Sequence, residues 1–370
     1  MKILFVEPHE SSLFSFRKEV VDDLINRGFD VVLCTDVTEK TQQEYSQRVS
    51  KIVNVSMNLK DKGILSNARL KRTYKRIIHS EKPDLIISYK IKPNIYCGLA
   101  AKKTPMIANI TGLGNMFKKS GFLSKLGIFL YKRAFKNIDF ILFQNEDSLA
   151  FFRRHKIPIK NFKVIPGSGV NIDKFQPQLV KPFSDKTINF LFASRAIKEK
   201  GFDLLIDAIP AVLINNNDIH FTILSAEEDV FANDKAKDVF SKYQQNITIL
   251  SRTDDMAKLY CSHDYLVSPS FYREGISNVL LESLACARPI ITTNDNPGCM
   301  EVLQEGVNGF GVTSNDLDSL VAALLLASKQ SKSTIEKMGN NGREFVSKHF
   351  NRQTVVNTYS EVIDKMSLGK

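Results

Sequence analysis

The same alternation of strand-like and helix-like segments runs along this chain twice, and it constrains the fold more than any single motif. Short β-branched and aliphatic runs recur at residues 3–6, 30–34, 51–55, 85–88, 106–110, 140–143 and 162–165. Helical spacing fills several of the intervals, as at 16–26, 70–79 and 123–135. The runs are apolar almost throughout, which marks strands of a parallel sheet covered on both faces. A second series follows at 188–193, 220–224, 247–250, 265–267 and 289–293, with helical spacing at 202–213, 277–287 and 317–326. Between the two, residues 175–186 hold two prolines and no periodicity, which reads as a linker with the boundary near residue 180. A helical tail from about Ser331 to Met366 is interrupted at His349-Phe350-Asn351-Arg352. The expected fold is α/β: two Rossmann-like, doubly wound parallel-sheet domains, 1–180 and 181–350, facing across a cleft. A last helix in 351–370 is expected to pack back on the first domain. Open α/β sheets bind ligands beyond the carboxyl ends of their strands.

A chain of 370 residues is longer than one hydrophobic core usually grows, in keeping with two domains. No apolar run approaches the roughly 18 residues that span a bilayer, and the start, MKILFVEPHE, reads as a first strand rather than a secretory leader. The five cysteines are odd in number, widely spaced and without a CxxC pair, which argues against a disulfide framework or a zinc site and fits a reducing cytoplasm. Charge is uneven. Residues 1–185 carry 32 Lys and Arg against 17 Asp and Glu, whereas 186–370 carry 19 against 23. Within the first half, 60–136 hold 18 basic residues and three acidic ones. An anionic membrane face or nucleic acid is the usual partner of such a surface, and a solvated basic face fits the charge alone equally well. Nucleic acid is not expected, because no recognition motif or RNP-like aromatic run is present and Trp is absent.

The densest chemical signal is the run 270–285. Glu274 and Glu282 are separated by seven residues that begin Gly275, Ile276, Ser277 and Asn278. Gly275 allows a tight turn and Ser277 suits an N-cap, so one carboxylate sits before a helix and the other inside it. Such a pair can accept hydrogen bonds from two sets of sugar hydroxyls, and the helix-start N–H groups between them can hold an anion. Alone, the pattern also reads as two solvated glutamates. The strand at 188–193 leads into Ser194-Arg195-Ala196-Ile197-Lys198-Glu199-Lys200-Gly201. Arg195 and Lys200 can neutralise a diphosphate leaving group without a metal ion, and alone they also read as a basic surface turn. The DxD run Asp316-Leu317-Asp318 opens a helix and reads as capping, so no metal is expected.

Taken together, Arg195-x4-Lys200, Glu274-x7-Glu282, Pro297-Gly298 and Glu301…Gly306-x-Asn308-Gly309-Phe310 resemble the family 4 retaining glycosyltransferases of GT-B fold. Thr111-Gly112-Leu113-Gly114, Gln144-Asn145 and Pro166-Gly167-Ser168-Gly169-Val170-Asn171-x-Asp173-x-Phe175 resemble the branch acting on polyprenyl-diphosphate-linked glycans of bacterial surface polysaccharides. The resemblance implies a retaining hexosyltransferase with a nucleotide-sugar donor, UDP-linked in this branch, bound by the second domain, and no cofactor or metal. It implies that Glu282 binds the ribose hydroxyls, Glu274 the transferred sugar near its 3- and 4-hydroxyls, and Arg195 and Lys200 the departing diphosphate. The acceptor hydroxyl would attack on the face that the leaving group departs, with the donor phosphate taking the proton. The first domain would bind an undecaprenyl-diphosphate-linked saccharide of capsule, O-antigen or related glycan synthesis, with His9, Thr111, Gly112, Gly114, Asn145 and Asp147 as candidates. Here Asn145-Glu146-Asp147 stands where many relatives have Asn-Pro-Asp, Met300 where the branch often has Arg, and Ser225 where relatives have Gly.

Residues 116–136 spell a basic amphipathic helix. Phe122, Leu126, Phe129, Leu130 and Arg133 recur at three- and four-residue steps among Lys118, Lys119, Lys125, Lys132 and Lys136, and Arg69, Lys71, Arg72, Lys75 and Arg76 form a second cluster. Such a helix can lie in an anionic headgroup layer, giving peripheral attachment to the inner face of the cell membrane. A core helix with a solvated back has the same spacing. A GT-B-shaped UDP-sugar epimerase is the alternative enzyme; it needs neither the glutamate pair nor the basic helix.

Overall fold

The computed structural model describes residues 1–55, 64–101, 103–113, 121–179, 187–253, 255–272 and 275–368. Two compact units emerge, one made of 1–168 with 353–370 and the other of 169–352.

The first unit runs β1 (Lys2–Val6), α1 (Glu10–Phe16), α2 (Lys18–Asn26), β2 (Asp30–Thr35), α3 (Glu39–Tyr45), β3 (Lys51–Asn54), α4 (Ile64–Glu81) and β4 (Leu85–Tyr89). It continues through α5 (Ile91–Ala100), β5 (Met106–Ile110), α6 (Phe122–Ala134), β6 (Phe140–Phe143), α7 (Glu146–Arg154) and β7 (Phe162–Val164). Its seven described strands form one parallel sheet in the order β3-β2-β1-β4-β5-β6-β7. Alternate side chains of each strand enter two cores. Leu4, Val6, Ile86 and Ala108 pack on one face with Tyr74 of α4, Cys97 of α5 and Tyr131 of α6. Ile3, Phe5, Leu33 and Ile87 pack on the other with Val20 and Leu24 of α2. This explains the unbroken apolar runs, since both faces of the sheet must be covered.

The second unit runs β8 (Ile188–Ala193), α8 (Phe202–Asn215), β9 (Ile219–Leu224), α9 (Glu227–Phe231), α10 (Asp234–Lys242), β10 (Ile247–Leu250), α11 (Met256–Cys261) and β11 (Tyr265–Ser268). It continues through α12 (Asn278–Ala285), β12 (Ile290–Thr293), α13 (Pro297–Met300), β13 (Gly309–Val312), α14 (Leu317–Ser328) and α15 (Lys332–His349). The six described strands are parallel in the order β10-β9-β8-β11-β12-β13. In each sheet the order reverses beside the first strand, between β1 and β4 and between β8 and β11. Loops at the carboxyl ends of those strand pairs splay to opposite faces and leave a crevice for ligands.

The division falls at Ser168/Gly169, ahead of the expected boundary near residue 180. Val170 explains the difference: its N–H donates to the Phe350 carbonyl at 2.7 Å, and its own carbonyl accepts from Arg352 N–H at 2.9 Å. Phe175, inside the supposed linker, is buried in the second unit's core beside Tyr260. Residues 180–186 lie outside the described residues. The last helix, α16 (Arg352–Leu368), buries Val355, Val356, Tyr359, Val362 and Ile363 in the first unit's core, a one-sided stripe at helical spacing. The five cysteines are all buried and unpaired by disulfides.

Candidate active site

In the second unit Arg195 and Lys200 stand on the loop after β8 and Glu282 on the helix after β11, the two strands between which the sheet order reverses. β8 delivers a loop in which Arg195 is exposed and Lys198–Lys200 form a 3₁₀ turn closed by Gly201 at φ +77°. A side chain at Gly201 would place its Cβ 2.3 Å from the Pro269 carbonyl oxygen, so this loop and the one after β11 touch backbone to backbone. They are also hydrogen-bonded. The Glu199 carbonyl accepts from Phe271 N–H at 3.0 Å and from Ser270 Oγ at 3.3 Å. From the β12 side, Asn296 Nδ2 donates to the Ser270 and Tyr272 carbonyls at 2.8 and 3.1 Å, and Thr293 Oγ1 donates to Ser270 at 2.8 Å. Lys200 Nζ stands 5.3 Å from the Tyr272 ring centre, within cation–π reach. The basic loop is therefore held against the segment that leads into α12.

Gly275, Ile276 and Ser277 are buried, and α12 begins at Asn278. Ser277 occupies the N-cap position in extended conformation, but its side chain makes no capping hydrogen bond, contrary to the capping role its residue type suggested. One turn into α12, Glu282 is half-buried, and its Oε2 accepts from the Tyr260 hydroxyl at 3.0 Å. Burial pushes the Glu282 carboxyl up to about 7, against the pull of the Tyr260 hydrogen bond and the positive charges of Arg352 and Lys174. Glu274 lies outside the described residues, so the glutamate pair is represented in the structure by Glu282 alone.

Two stretches of the motif pattern have a building role. Gly169 (φ +65°) lies against Arg352, whose Nε and Nη2 donate to the Gly169 carbonyl at 3.1 and 2.9 Å. Asn308 is fully buried, accepting from Gln304 N–H at 2.8 Å and donating to the Val302 carbonyl at 3.0 Å. It holds the turn from which β13 starts.

The acceptor-side candidates lie in the first unit at the carboxyl ends of β1, β5 and β6. His9, the residue before α1, is half-buried, its Nδ1 3.7 Å from Asp36. Thr111 is half-buried after β5, and Gly112 takes φ +133°. Asn145 caps α7, its Oδ1 accepting from Ser148 N–H at 2.9 Å, and Asp147 sits in the first turn of that helix. Gly114 lies outside the described residues. Beneath His9 is a cluster that the sequence reading did not contain. Glu7 is fully buried with its Oε2 3.9 Å from Arg17 Nε; Arg17 donates to Ser168 Oγ at 2.9 Å; Lys90 donates to Ser12 Oγ at 3.1 Å from a left-handed backbone (φ +73°). Burial raises the Glu7 carboxyl while Lys90 and Arg17 oppose the rise, and burial lowers the Lys90 ammonium.

On α6, Tyr131 and Ala134 are fully buried and Leu130 packs on the core, so Leu130 does not belong to an outward stripe. Phe129 and Leu126 do face out, 53% and 41% exposed, with the Arg133 guanidinium 6.0 Å over the Phe129 ring. Lys125 and Arg133 are exposed and Lys132 is half-buried. Lys118 and Lys119 lie outside the described residues, and the Phe122 side chain is likewise not described. On α4, Arg69, Lys71, Arg72, Lys75 and Arg76 are all exposed. No helix among the described residues is long and apolar enough to cross a membrane.

Each unit matches a family model of its own, Glycosyl transferase 4-like over residues 2–145 and Glycosyl transferases group 1 over residues 187–329. An uncharacterised glycosyltransferase of Methanocaldococcus jannaschii is 27% identical over 360 residues, covering 94% of this chain and 93% of that one. The capsular polysaccharide biosynthesis glycosyltransferase CapM of Staphylococcus aureus is 25% identical over 212 residues, 55% of this chain and 54% of its own. Among solved structures, sucrose-phosphate synthase from Thermosynechococcus elongatus aligns over 100% of both chains with a TM-score of 0.81 at 16% identity. Anabaena HepE in complex with UDP aligns over 99% of this chain and 100% of its own with a TM-score of 0.78, also at 16% identity. At those identities the structural likeness speaks for the fold. With two doubly wound parallel sheets in place and a glycosyltransferase model matching each half, the chain belongs to the family 4-like glycosyltransferases of GT-B fold.

Proposed function

We propose that this glycosyltransferase works with retention, moving a hexose or N-acetylhexosamine from a UDP-sugar to an undecaprenyl-diphosphate-linked saccharide in capsule, O-antigen or related glycan assembly. The carrying observation is the pair of pinned loops at the β8/β11 reversal, which sets Lys200 beside the segment leading to Glu282. The bond from the anomeric carbon to the donor phosphate breaks, and negative charge accumulates on the departing diphosphate. Lys200 and Arg195 meet that charge as it develops, so they stabilise the transition state more than the bound donor. They also supply the positive charge that a metal ion would otherwise bring. Glu282 accepts hydrogen bonds from the ribose, and Glu274 holds the transferred sugar. The acceptor hydroxyl bonds to the same face of the anomeric carbon, and its proton passes to the departing phosphate, which leaves the protein no base to supply.

HepE, crystallised with UDP and with UDP-glucose, supports uracil as the base, and CapM supports surface-glycan assembly. The exposed Phe129 and Leu126 among the cations of α6, with the basic face of α4, support peripheral attachment of the first unit to an anionic leaflet. A thermal-shift screen of UDP-, GDP- and ADP-sugars identifies the donor, because a ligand that binds the folded state raises its melting point. With that donor and a lipid-linked acceptor, Lys200→Ala lowers kcat about 10²- to 10³-fold, the range typical for losing one group that stabilises developing charge. Glu282→Ala acts mainly on donor KM, and the product's anomeric coupling constant in NMR matches the donor's. Wild-type kinetics in both variants, or epimerised nucleotide sugar from donor incubated alone, would end this reading.

A further inference from the structure

We propose that Tyr260 is a positioning residue for nucleotide recognition, its phenol setting the direction in which the Glu282 carboxylate faces the ribose hydroxyls. The inference rests on the assignment of Glu282 to the ribose. Tyr260 belongs to α11 and Glu282 to α12, neighbouring helices, and the hydroxyl reaches Glu282 Oε2 at 3.0 Å. The tyrosine is 1% exposed, and its ring is wedged edge-on against Phe175 at 6.2 Å. The phenol therefore cannot turn away to water. Its hydroxyl must spend its proton where the packing points it, and that is on one oxygen of Glu282.

A carboxylate offers about four acceptor positions. With one taken by a fixed donor, the plane of the group is set and the rest stay open on its half-buried side. That is what recognising two adjacent hydroxyls requires: two acceptor directions fixed before the ligand arrives. Packing alone does not call for a hydroxyl at residue 260, since phenylalanine would fill the same volume. Among the described residues, the groups facing Glu282 are Tyr260 from α11, Lys174 from the turn after Asn171 and Arg352 at the head of α16, with Cys286 one turn along α12. Tyr260, Arg352 and Lys174 favour the ionised carboxylate against burial, with Tyr260 first among them. Only the ionised form accepts from both hydroxyls, so ribose recognition fades as the pH falls through about 7.

The test compares two ligands on the full chain: whichever of UDP, GDP and ADP binds most tightly, and its 2′,3′-dideoxy counterpart. Calorimetric Kd values from pH 6 to 8.5 give the ratio between them, which isolates the ribose hydroxyls because the phosphates titrate alike in both ligands. In the wild type the ribonucleotide binds more tightly, and the ratio falls on acidification with a midpoint near 7. Glu282→Gln brings the ratio close to one. Tyr260→Phe, which keeps the ring, lowers it about 3- to 10-fold, the effect of one net hydrogen bond. It leaves dideoxynucleotide affinity unchanged and moves the midpoint to higher pH. A ratio that collapses in Glu282→Gln but stays at the wild-type value and midpoint in Tyr260→Phe overturns the positioning role and leaves the assignment of Glu282 standing. Equal weakening of both ligands in Tyr260→Phe also overturns it, as a loss of structure only. A ratio of one in the wild type, or an undiminished ratio in Glu282→Gln, overturns the assignment of Glu282 and this inference with it.

Discussion

At Gly201 the backbone geometry and the chemistry proposed for Lys200 depend on the same atom being absent. The residue adopts φ +77°, and a Cβ there would meet the Pro269 carbonyl at 2.3 Å. Alanine must either strain its own backbone or push the two loops apart, and backbone atoms yield little. Gly306 is the natural control: it lies in the same unit at φ +70°, with nothing within 4 Å of its virtual Cβ. Gly306→Ala carries only the left-handed penalty, about 1–2 kcal/mol. Gly201→Ala carries that and the clash, so it should destabilise the second unit by at least about 2–4 kcal/mol. Urea unfolding checks this, with a lower midpoint at unchanged slope for both variants and the larger fall for Gly201→Ala. Equal losses would show that the loops part without resistance. The sequence displayed this glycine as part of Lys200-Gly201 but not what it avoids, because Pro269 lies 68 positions downstream. The same holds for Tyr260, Thr293, Asn296 and the Glu7–Arg17–Lys90 cluster. The pattern that singles out Arg195, Lys200 and Glu282 is local spacing, whereas the groups that brace their loops and helix act across distances no local pattern records.

At the scale of elements, strands were easier to read than helices, and α16 shows what secures one. Its stripe Val355, Val356, Tyr359, Val362 and Ile363 is legible as helical periodicity, and the structure gives it Ile3, Phe5 and Leu33 to cover. Within that stripe the Tyr359 hydroxyl donates to Asn109 Oδ1 and accepts from the Tyr89 hydroxyl at 2.8 Å, all buried. Tyr359→Phe leaves a buried amide oxygen and a buried phenol unpaired and should cost about 1–3 kcal/mol. Tyr359→Ala adds a cavity and should cost about 3–5 kcal/mol. Denaturant titration of the two variants separates hydrogen bonding from packing; equal losses would assign the whole effect to the ring. Elements that escaped the sequence reading have physical reasons. The strand β13 is Gly-Phe-Gly-Val, poor in strand-forming residues, because a side chain at Gly309 would sit 2.0 Å from the Ile290 carbonyl. Helix α11 has six residues, too few to show a period. The helical segment at 16–26 is α2 with one residue of α1, so most of α1, Glu10–Phe16, escapes the reading; the two helices part at Arg17, where the guanidinium turns inward to Ser168 and Glu7.

The chain enters the second unit once, at Gly169, and leaves it once, at Arg352, so that unit is continuous in sequence while the first is not. The sheet, helices and apolar cores of 169–352 are all drawn from within that range. Its first and last residues are joined by the Val170–Phe350 and Arg352–Val170 hydrogen bonds and by the Arg352 clasp on the Gly169 carbonyl. A segment whose ends already meet can fold as an insert, and it can be excised. The first unit differs: without α16, Ile3, Phe5, Val31 and Leu33 lose part of their cover. Five buried side chains of α16, at about 1.5–3 kcal/mol each before ordering costs, together match the net stability of a typical domain. A fragment of 169–352 should therefore unfold cooperatively and keep the full protein's affinity for the nucleoside diphosphate. A fragment of 1–168 should bind a hydrophobic dye and aggregate. Joining 353–368 to 1–168 through a flexible linker should restore a cooperative transition, read by circular dichroism and calorimetry. If 1–168 alone melts as sharply as the linked form, α16 is an accessory to the first unit; if 169–352 cannot hold nucleotide, the donor site needs residues that the second unit does not contain.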